Sequence, residues 1–276
     1  MQVTTLGTGS PLPDPGRAGP ATLVRTTGTQ LLFDCGRGVV LRLAAAATGP
    51  VLLTSVLLTH LHSDHVCDLN DVITTRWAMS PVPAPLEVIG PAGTAALVER
   101  TLAMLSDDIG YRRAHHGDLN WDPPVTGVDV ADGAVLELGE VTVRVAATDH
   151  MPVAPTVGYR VEADGAAVVI GGDSVPCAGL DRLCEGADAY VQTVVRPSLV
   201  AQVPSARFQD VLGYHSSIAD AASTAARGGV STLVLTHLVP APWPGTEPEW
   251  VTEAAAHFAG EVVVAHDLYA LELGGA

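Results

Sequence analysis

Basic side chains are scarce in this sequence. Its 276 residues hold 14 lysine and arginine residues against 30 aspartate and glutamate residues, a formal net charge of −16. Proteins that grip nucleic acid through many phosphates need a basic surface, so this balance argues against a large polyanionic substrate and leaves room for a small one. Two bound divalent cations would still leave a charge of about −12. Long apolar runs are missing too: none approaches the roughly 18 residues of a membrane span. Met1-Gln2-Val3-Thr4-Thr5 has no basic stretch leading into an apolar one, as a secretory signal would. Cysteine is limited to Cys35, Cys67, Cys177 and Cys184, without C-x-x-C spacing, which suits reduced thiols in a cytoplasmic protein. Disorder is excluded by a 47% hydrophobic composition.

What the chain does have is four apolar runs that each end in a histidine or an aspartate. The first delivers His60-Leu61-His62-Ser63-Asp64-His65. The others are Val141 to Ala147 before Asp149-His150, Ala166 to Ile170 before Gly171-Gly172-Asp173, and Thr232 to Thr236 before His237. Short β-rich runs bounded by Gly and Pro read as buried strands, which puts these polar residues on loops at strand ends. In layered α/β proteins such loops carry the chemistry.

The remaining patterning is consistent with one domain over residues 1–276. Strands are expected at Val3 to Leu6, Thr22 to Arg25, Gln30 to Phe33, Val56 to Leu58 and Leu86 to Ile89. Helices are expected at Val39 to Ala47, Asp68 to Met79 with Asp68 as cap, and Thr94 to Leu105. Ser106 to Val130 has little periodicity and reads as an irregular functional segment near the active site. The second half repeats the syntax, with strands at Val135 to Leu138, Val141 to Ala147, Val157 to Glu162, Ala166 to Ile170, Ala189 to Val195, Val230 to Leu235 and Glu261 to Val264. Helices fall near Leu180, at Ile218 to Arg227 and at Glu247 to Phe258. Strands then helices, twice over, predict two sheets face to face with helices outside.

Alternate residues of an extended segment point the same way, so His60 and His62 can reach one metal ion. Asp64 and His65 follow where the chain turns, aimed at a second. His150 would complete the first site and His237 the second. Asp173 is the natural bridge, because a carboxylate has two oxygens to share. Imidazole and carboxylate donors without thiolate suit two zinc ions, with manganese or iron as substitutes, and the small number of ligands per ion marks a catalytic site. Any one of these histidines alone would read as an ordinary loop residue; four ligand-type residues within six positions would be costly to bury without a cation.

The cluster H-x-H-x-D-H, with later His150, Asp173 and His237, resembles the metallo-β-lactamase superfamily. Leu6-Gly7-Thr8-Gly9-Ser10-Pro11, Gly172-Asp173-Ser174 and Leu235-Thr236-His237 look most like its ribonuclease Z-like branch. The resemblance implies a four-layer αβ/βα sandwich and hydrolysis at a dinuclear zinc site. His60, His62 and His150 would hold one ion, Asp64, His65 and His237 the other, and Asp173 both. Tyr214-His215-Ser216-Ser217 resembles the branch's His-Ser-Thr motif, which implies that His215 protonates the leaving oxygen. Family members are often dimers, so the resemblance admits a homodimer.

Two departures bear on the substrate. The branch's transfer RNA-binding arm lies between the residues matching His150 and Asp173, where only 22 residues intervene here. The glutamate that supports the His-Ser-Thr histidine is replaced in Val191-Gln192-Thr193-Val194. With the charge, they argue against transfer RNA. The leading expectation is therefore hydrolysis of a small phosphodiester by a metal-bridging hydroxide, with Asp64 orienting or deprotonating it. The alternatives are a zinc-dependent lactone, thioester or sulfate ester hydrolase, and an idle metal-binding protein of the same fold.

Overall fold

The protein is described by a computed structural model covering residues 1–274. Its strands are β1 (Gln2–Gly7), β2 (Ala21–Arg25), β3 (Gln30–Phe33), β4 (Ser55–Leu57), β5 (Leu86–Gly90), β6 (Val125–Asp129), β7 (Val135–Leu138), β8 (Val141–Ala147), β9 (Val157–Ala163), β10 (Ala166–Ile170), β11 (Ala189–Val195), β12 (Thr232–Val239), β13 (Glu261–Val264) and β14 (Tyr269–Glu272). The helices are α1 (Val39–Ala45), α2 (Ser63–Val66), α3 (Leu69–Met79), α4 (Thr94–Met104), α5 (Ser106–His115), α6 (Ala178–Cys184), α7 (Pro197–Val200), α8 (Ala206–Gln209), α9 (Ile218–Gly228) and α10 (Glu247–Ala255).

Two seven-stranded sheets form, ordered β14-β1-β2-β3-β4-β5-β6 and β13-β12-β11-β10-β9-β8-β7. Each is half antiparallel and half parallel: β14 to β3 and β7 to β10 pair antiparallel, β3 to β6 and β10 to β13 parallel. Period-two alternation divides the buried strands between layers. In β10, Ala166, Val168 and Ile170 join the core between the sheets, with Val3, Leu31, Phe33 and Leu57 of the facing sheet. Ala167 and Val169 join the outer core against Leu180, Ala221, Ala225 and Trp250. A third core packs Leu32, Val56 and Val88 against Val39, Leu69, Val72 and Val98. The result is the αβ/βα sandwich anticipated from the sequence. Each fully buried Val, Leu or Ile contributes about 1.5–3 kcal/mol relative to exposure.

Glu140, at the turn between β7 and β8, staples the two sheets at their rim. Its carboxylate accepts from the amide of Gly28 (3.0 Å), from Thr29 Oγ1 (2.8 Å) and from the Thr26 hydroxyl, all at the turn between β2 and β3.

Several elements differ from the sequence expectation. Ser106 to Val130 is not irregular: it contains α5 and β6. No residue of α5 is buried, so it has no apolar stripe from which a helical period could be read. None of these residues lines the cavity over the histidine cluster described below, so the segment does not shape it. Asp68 occupies the N-cap position of α3 but makes no capping bond; its carboxylate instead accepts from the Gly38 amide. β14, which adds an edge to the first sheet, was not anticipated. Among the described residues no helix is long and apolar enough to cross a membrane.

Candidate metal centre

β4 ends at Leu57, and Leu58-Thr59 carries the chain across the edge of the sandwich to His60. The organising residue there is Asp34, buried just beyond β3 with φ 60°. Its Oδ1 accepts from the Thr59 amide (2.8 Å), and its Oδ2 accepts from Thr59 Oγ1 (2.9 Å) and His65 Nδ1 (2.8 Å). A carboxylate acceptor forces the proton of His65 onto Nδ1, which leaves the Nε2 lone pair for a cation. Because the Thr59 hydroxyl donates to Asp34, its oxygen is free to accept from His60 Nδ1 (3.0 Å). One carboxylate thus orients two histidines.

The second sheet supplies the other groups. His150 follows β8 and donates Nδ1–H to the Tyr214 carbonyl (2.7 Å), freeing its Nε2. Asp173 follows β10. His237 lies within β12 at φ 48°, a conformation uncommon away from glycine and found at sites the surrounding fold over-determines. The turn Gly7-Thr8-Gly9 backs this strand: the Leu238 amide donates to the Thr8 carbonyl, and Asp267 holds the Thr8 amide and hydroxyl.

These residues meet. His60 Nε2 lies 3.0 Å from His62 Nδ1, which lies 3.3 Å from His150 Nε2. Asp173 Oδ2 lies 3.8 Å from His60 Nε2, 3.5 Å from His65 Nε2, 3.9 Å from His150 Nε2, 3.6 Å from His237 Nε2 and 3.2 Å from His215 Nε2. Asp64 Oδ2 is 3.2 Å from His237 Nε2 and 3.6 Å from His65 Nε2. Two donor groups result, His60, His62, His150 with Asp173, and Asp64, His65 with His237; Asp173, His215 and His237 form a further one.

A cation fits this arrangement. His60 and His150 each spend the Nδ1 proton elsewhere, so two Nε2 lone pairs face His62 Nδ1, which carries at most one proton to give; a cation would satisfy all three. His65 Nε2, Asp173 Oδ1 and His237 Nδ1 are buried without any hydrogen-bond partner. Burial, with the charge of His65, pulls His60 well below the ordinary histidine range, and burial lowers His150 as well. Burial pushes the Asp173 carboxyl up, but the charges of His237 and His65 outweigh it and hold it well below the usual range. Asp64 is likewise lowered despite burial, chiefly by its hydrogen bond with His237. The carboxylates are therefore ionised at neutral pH and His60 and His150 are unprotonated. Burial pulls His65 down, but the charges of Asp173 and Asp34 outweigh it and raise it well above the ordinary range, so a cation at its Nε2 would have to displace a proton there.

Above the cluster lies a cavity of about 150 Å³. His62, Asp64, Asp173, His215 and His237 form its polar side, and Leu12, Phe208, Val211, Tyr214 and Val239 its apolar side. His215 donates Nδ1–H to the Val211 carbonyl (3.0 Å) and turns Nε2 toward Asp173. Ser216 fixes the neighbouring backbone: its amide (2.8 Å) and Oγ (2.7 Å) both donate to the Ser174 carbonyl. Ser217 then caps α9 through a reciprocal pair with Asp220. Gln192 and Thr193, which stand where the branch has its glutamate, bond instead to the Gly172 carbonyl before Asp173 (3.0 and 2.8 Å).

All eight site residues singled out from sequence thus converge. His115 and His116 are exposed on and just after α5, and exposed His266 packs edge-on against Tyr269; none of the three lines the cavity. Sequence reasoning passed over Asp34, although β3 is a fifth apolar run ending in an aspartate and the same rule applies to it.

Residues 29–238 match the model of the β-lactamase superfamily domain. The chain belongs to the metallo-β-lactamase superfamily, in its ribonuclease Z-like branch. It is a metal-dependent hydrolase, and its histidine and aspartate cluster is suited to divalent metal. Ribonuclease Z from Mycolicibacterium paratuberculosis is 56% identical over 275 residues, covering 99% of this chain and 98% of that one. Ribonuclease Z from Mycobacterium tuberculosis is 51% identical with the same coverage. Among solved structures, the metallo-β-lactamase fold protein YhfI from Bacillus subtilis superposes with a TM-score of 0.76 at 22% identity, covering 98% of both chains. The short form of human tRNase Z superposes with a TM-score of 0.71 at 23% identity, covering 99% of both. These two likenesses speak to the fold.

Proposed function

We propose that this protein is a dinuclear zinc phosphodiesterase acting on RNA, with a transfer RNA precursor as its substrate. The carrying observation is the end-to-end match to proteins named Ribonuclease Z. With 99% of this chain and 98% of the relative aligned, an arm-sized insertion has no place in either, so the short spacing from His150 to Asp173 does not set this chain apart from them. Four unpaired cysteines fit a cytoplasmic setting.

His60, His62 and His150 would hold one zinc ion, Asp64, His65 and His237 the other, with Asp173 shared. When bound, the pair supplies positive charge at the attacked phosphorus and makes hydroxide available at neutral pH. Asp64, ionised and beside His237, orients the attacking water and takes its proton. His215 gives a proton from Nε2 to the leaving ribose oxygen. The Val211 carbonyl does for His215 what a supporting glutamate does elsewhere in the branch: it keeps the proton on Nδ1 and aims the ring. At about 150 Å³ the cavity suits a scissile phosphate with its adjacent sugar, and the rest of an RNA would lie outside.

The net charge of −16 favours a second reading, a small phosphodiester. Zinc-reconstituted protein should be given a transfer RNA precursor with a 3′ trailer and, separately, bis(p-nitrophenyl) phosphate, with Asp173→Ala as the blank. Cleavage of both supports the proposal. Diester turnover without RNA cleavage moves the reading to small phosphodiesters, and failure on both moves it to lactones, thioesters or sulfate esters.

A further inference from the structure

An RNA-cutting enzyme with a charge of −16 must place its few cations well. The 14 cationic side chains here are all arginines. Eleven are committed to the fold. Arg76, for example, donates to the carbonyls of Pro50, Val51, Leu53, Ala84 and Pro85, and Arg196 pairs with Glu249 and Glu253. Among the described residues, only Arg37, Arg100 and Arg207 have side chains without a hydrogen bond or ion pair. Two of these three have chain neighbours at the metal centre. Arg207 is exposed on α8, next to Phe208, which lines the cavity. Arg37 is exposed beside Gly36, whose own Cβ, were there one, would stand 2.7 Å from the Asp64 carbonyl. Arg100 sits on α4, which contributes nothing to the cavity.

We propose that Phe208, Arg207 and Arg37 form a nucleotide subsite beside the cut. It would take single-stranded RNA: the base flanking the scissile phosphate stacks on Phe208, and neighbouring phosphates pair with the two free guanidinium groups. Stacking tolerates any base, and arginine matches a phosphate through two parallel N–H donors. Phe208 is only half-buried, its inner side packed against Val195, Val200 and Val239, which leaves part of the ring to the cavity. The assignment depends on the RNA reading above.

The test is kcat/KM on the trailer-bearing precursor across a salt series, with bis(p-nitrophenyl) phosphate turnover as the reference for each variant. Arg207→Ala and Arg37→Ala should each lower the ratio of RNA to diester activity about ten-fold at low salt. Each should also flatten the log–log salt slope by about 0.7, while Arg100→Ala changes neither. Phe208→Leu keeps the apolar contact but not the flat face, and should lose about ten-fold on RNA. Removing the base beside the cut should cost wild type a similar factor and cost Phe208→Leu nothing more. Arginine variants that behave like Arg100→Ala, or an equal abasic penalty in wild type and Phe208→Leu, would overturn the subsite while RNA cleavage stands. A wild type that turns over the diester and never cuts the precursor would overturn the RNA reading and this subsite with it.

Discussion

The loop from His60 to His65 and the segment from Pro197 to Tyr214 border the same cavity, but they are held in opposite ways. The first buries His60, Asp64 and His65 and is pinned by charge-assisted hydrogen bonds that Thr59 and His65 donate to Asp34. The second has short helical turns, mostly exposed side chains and one small apolar cluster around Val195, Val200 and Val239. Ligands to a cation must be held within tenths of an ångström, a demand that the Asp34 network meets and the second segment is not built to meet. The contrast separates a tightly held side of the cavity from a loosely packed one.

The strongest way to break this picture is at Asp173. Asp173→Ala should cut turnover by about 10³-fold or more and reduce bound metal, measured by elemental analysis. Full metal content in that variant would refute its bridging role. His215→Ala should slow esters with poor leaving groups by about 10²–10⁴-fold and activated esters far less; equal losses would deny it the proton. Asp34→Asn keeps a residue type that tolerates φ 60° but removes the charge and turns one of its two acceptor oxygens into a donor, so metal affinity should fall about 10–100-fold in chelator competition with the fold intact. An unchanged affinity would mean that the rigid side owes nothing to Asp34.

Hydrogen exchange sharpens the contrast directly. Amides of residues 198–213 should exchange much faster than those of Val191 to Val195 and Leu233 to Leu238, which lie in central strands. Equal protection would erase the distinction. The smallest effect is expected at the rim, outside both regions. Hydrogen bonds from Thr26, Thr29 and Gly28 lower the Glu140 carboxyl from 4.5 to about 2. A depressed folded-state value stabilises above the unfolded value, and that stability is lost as pH falls through the folded one. Glu140→Gln should therefore melt slightly lower than wild type at pH 7, and the gap should close between pH 4.5 and about 2. A gap that persists at the acid end would assign the effect to shape rather than charge.

Much of this was legible before any coordinates. His60, His62, Asp64 and His65 stand within six positions, and His150, Asp173 and His237 follow the strand-end rule. The two-sheet sandwich is written in alternating Val and Leu. Asp34 obeys the same rule but stands alone, with no neighbouring ligand type to single it out. α5 was invisible because it buries nothing, and β14 because its Tyr269 and Leu271 are only half-buried at the edge of a sheet. The partners of His150 and His215 could not be read at all, since a backbone carbonyl leaves no trace in residue identity.

Those two carbonyls have an evolutionary consequence. Tyr214 and Val211 aim His150 and His215 with main-chain atoms, while both residues also line the cavity. Mutation can therefore redraw the walls of the cavity without touching the atoms that aim the chemistry. A lineage built this way can change what it cuts while keeping how it cuts.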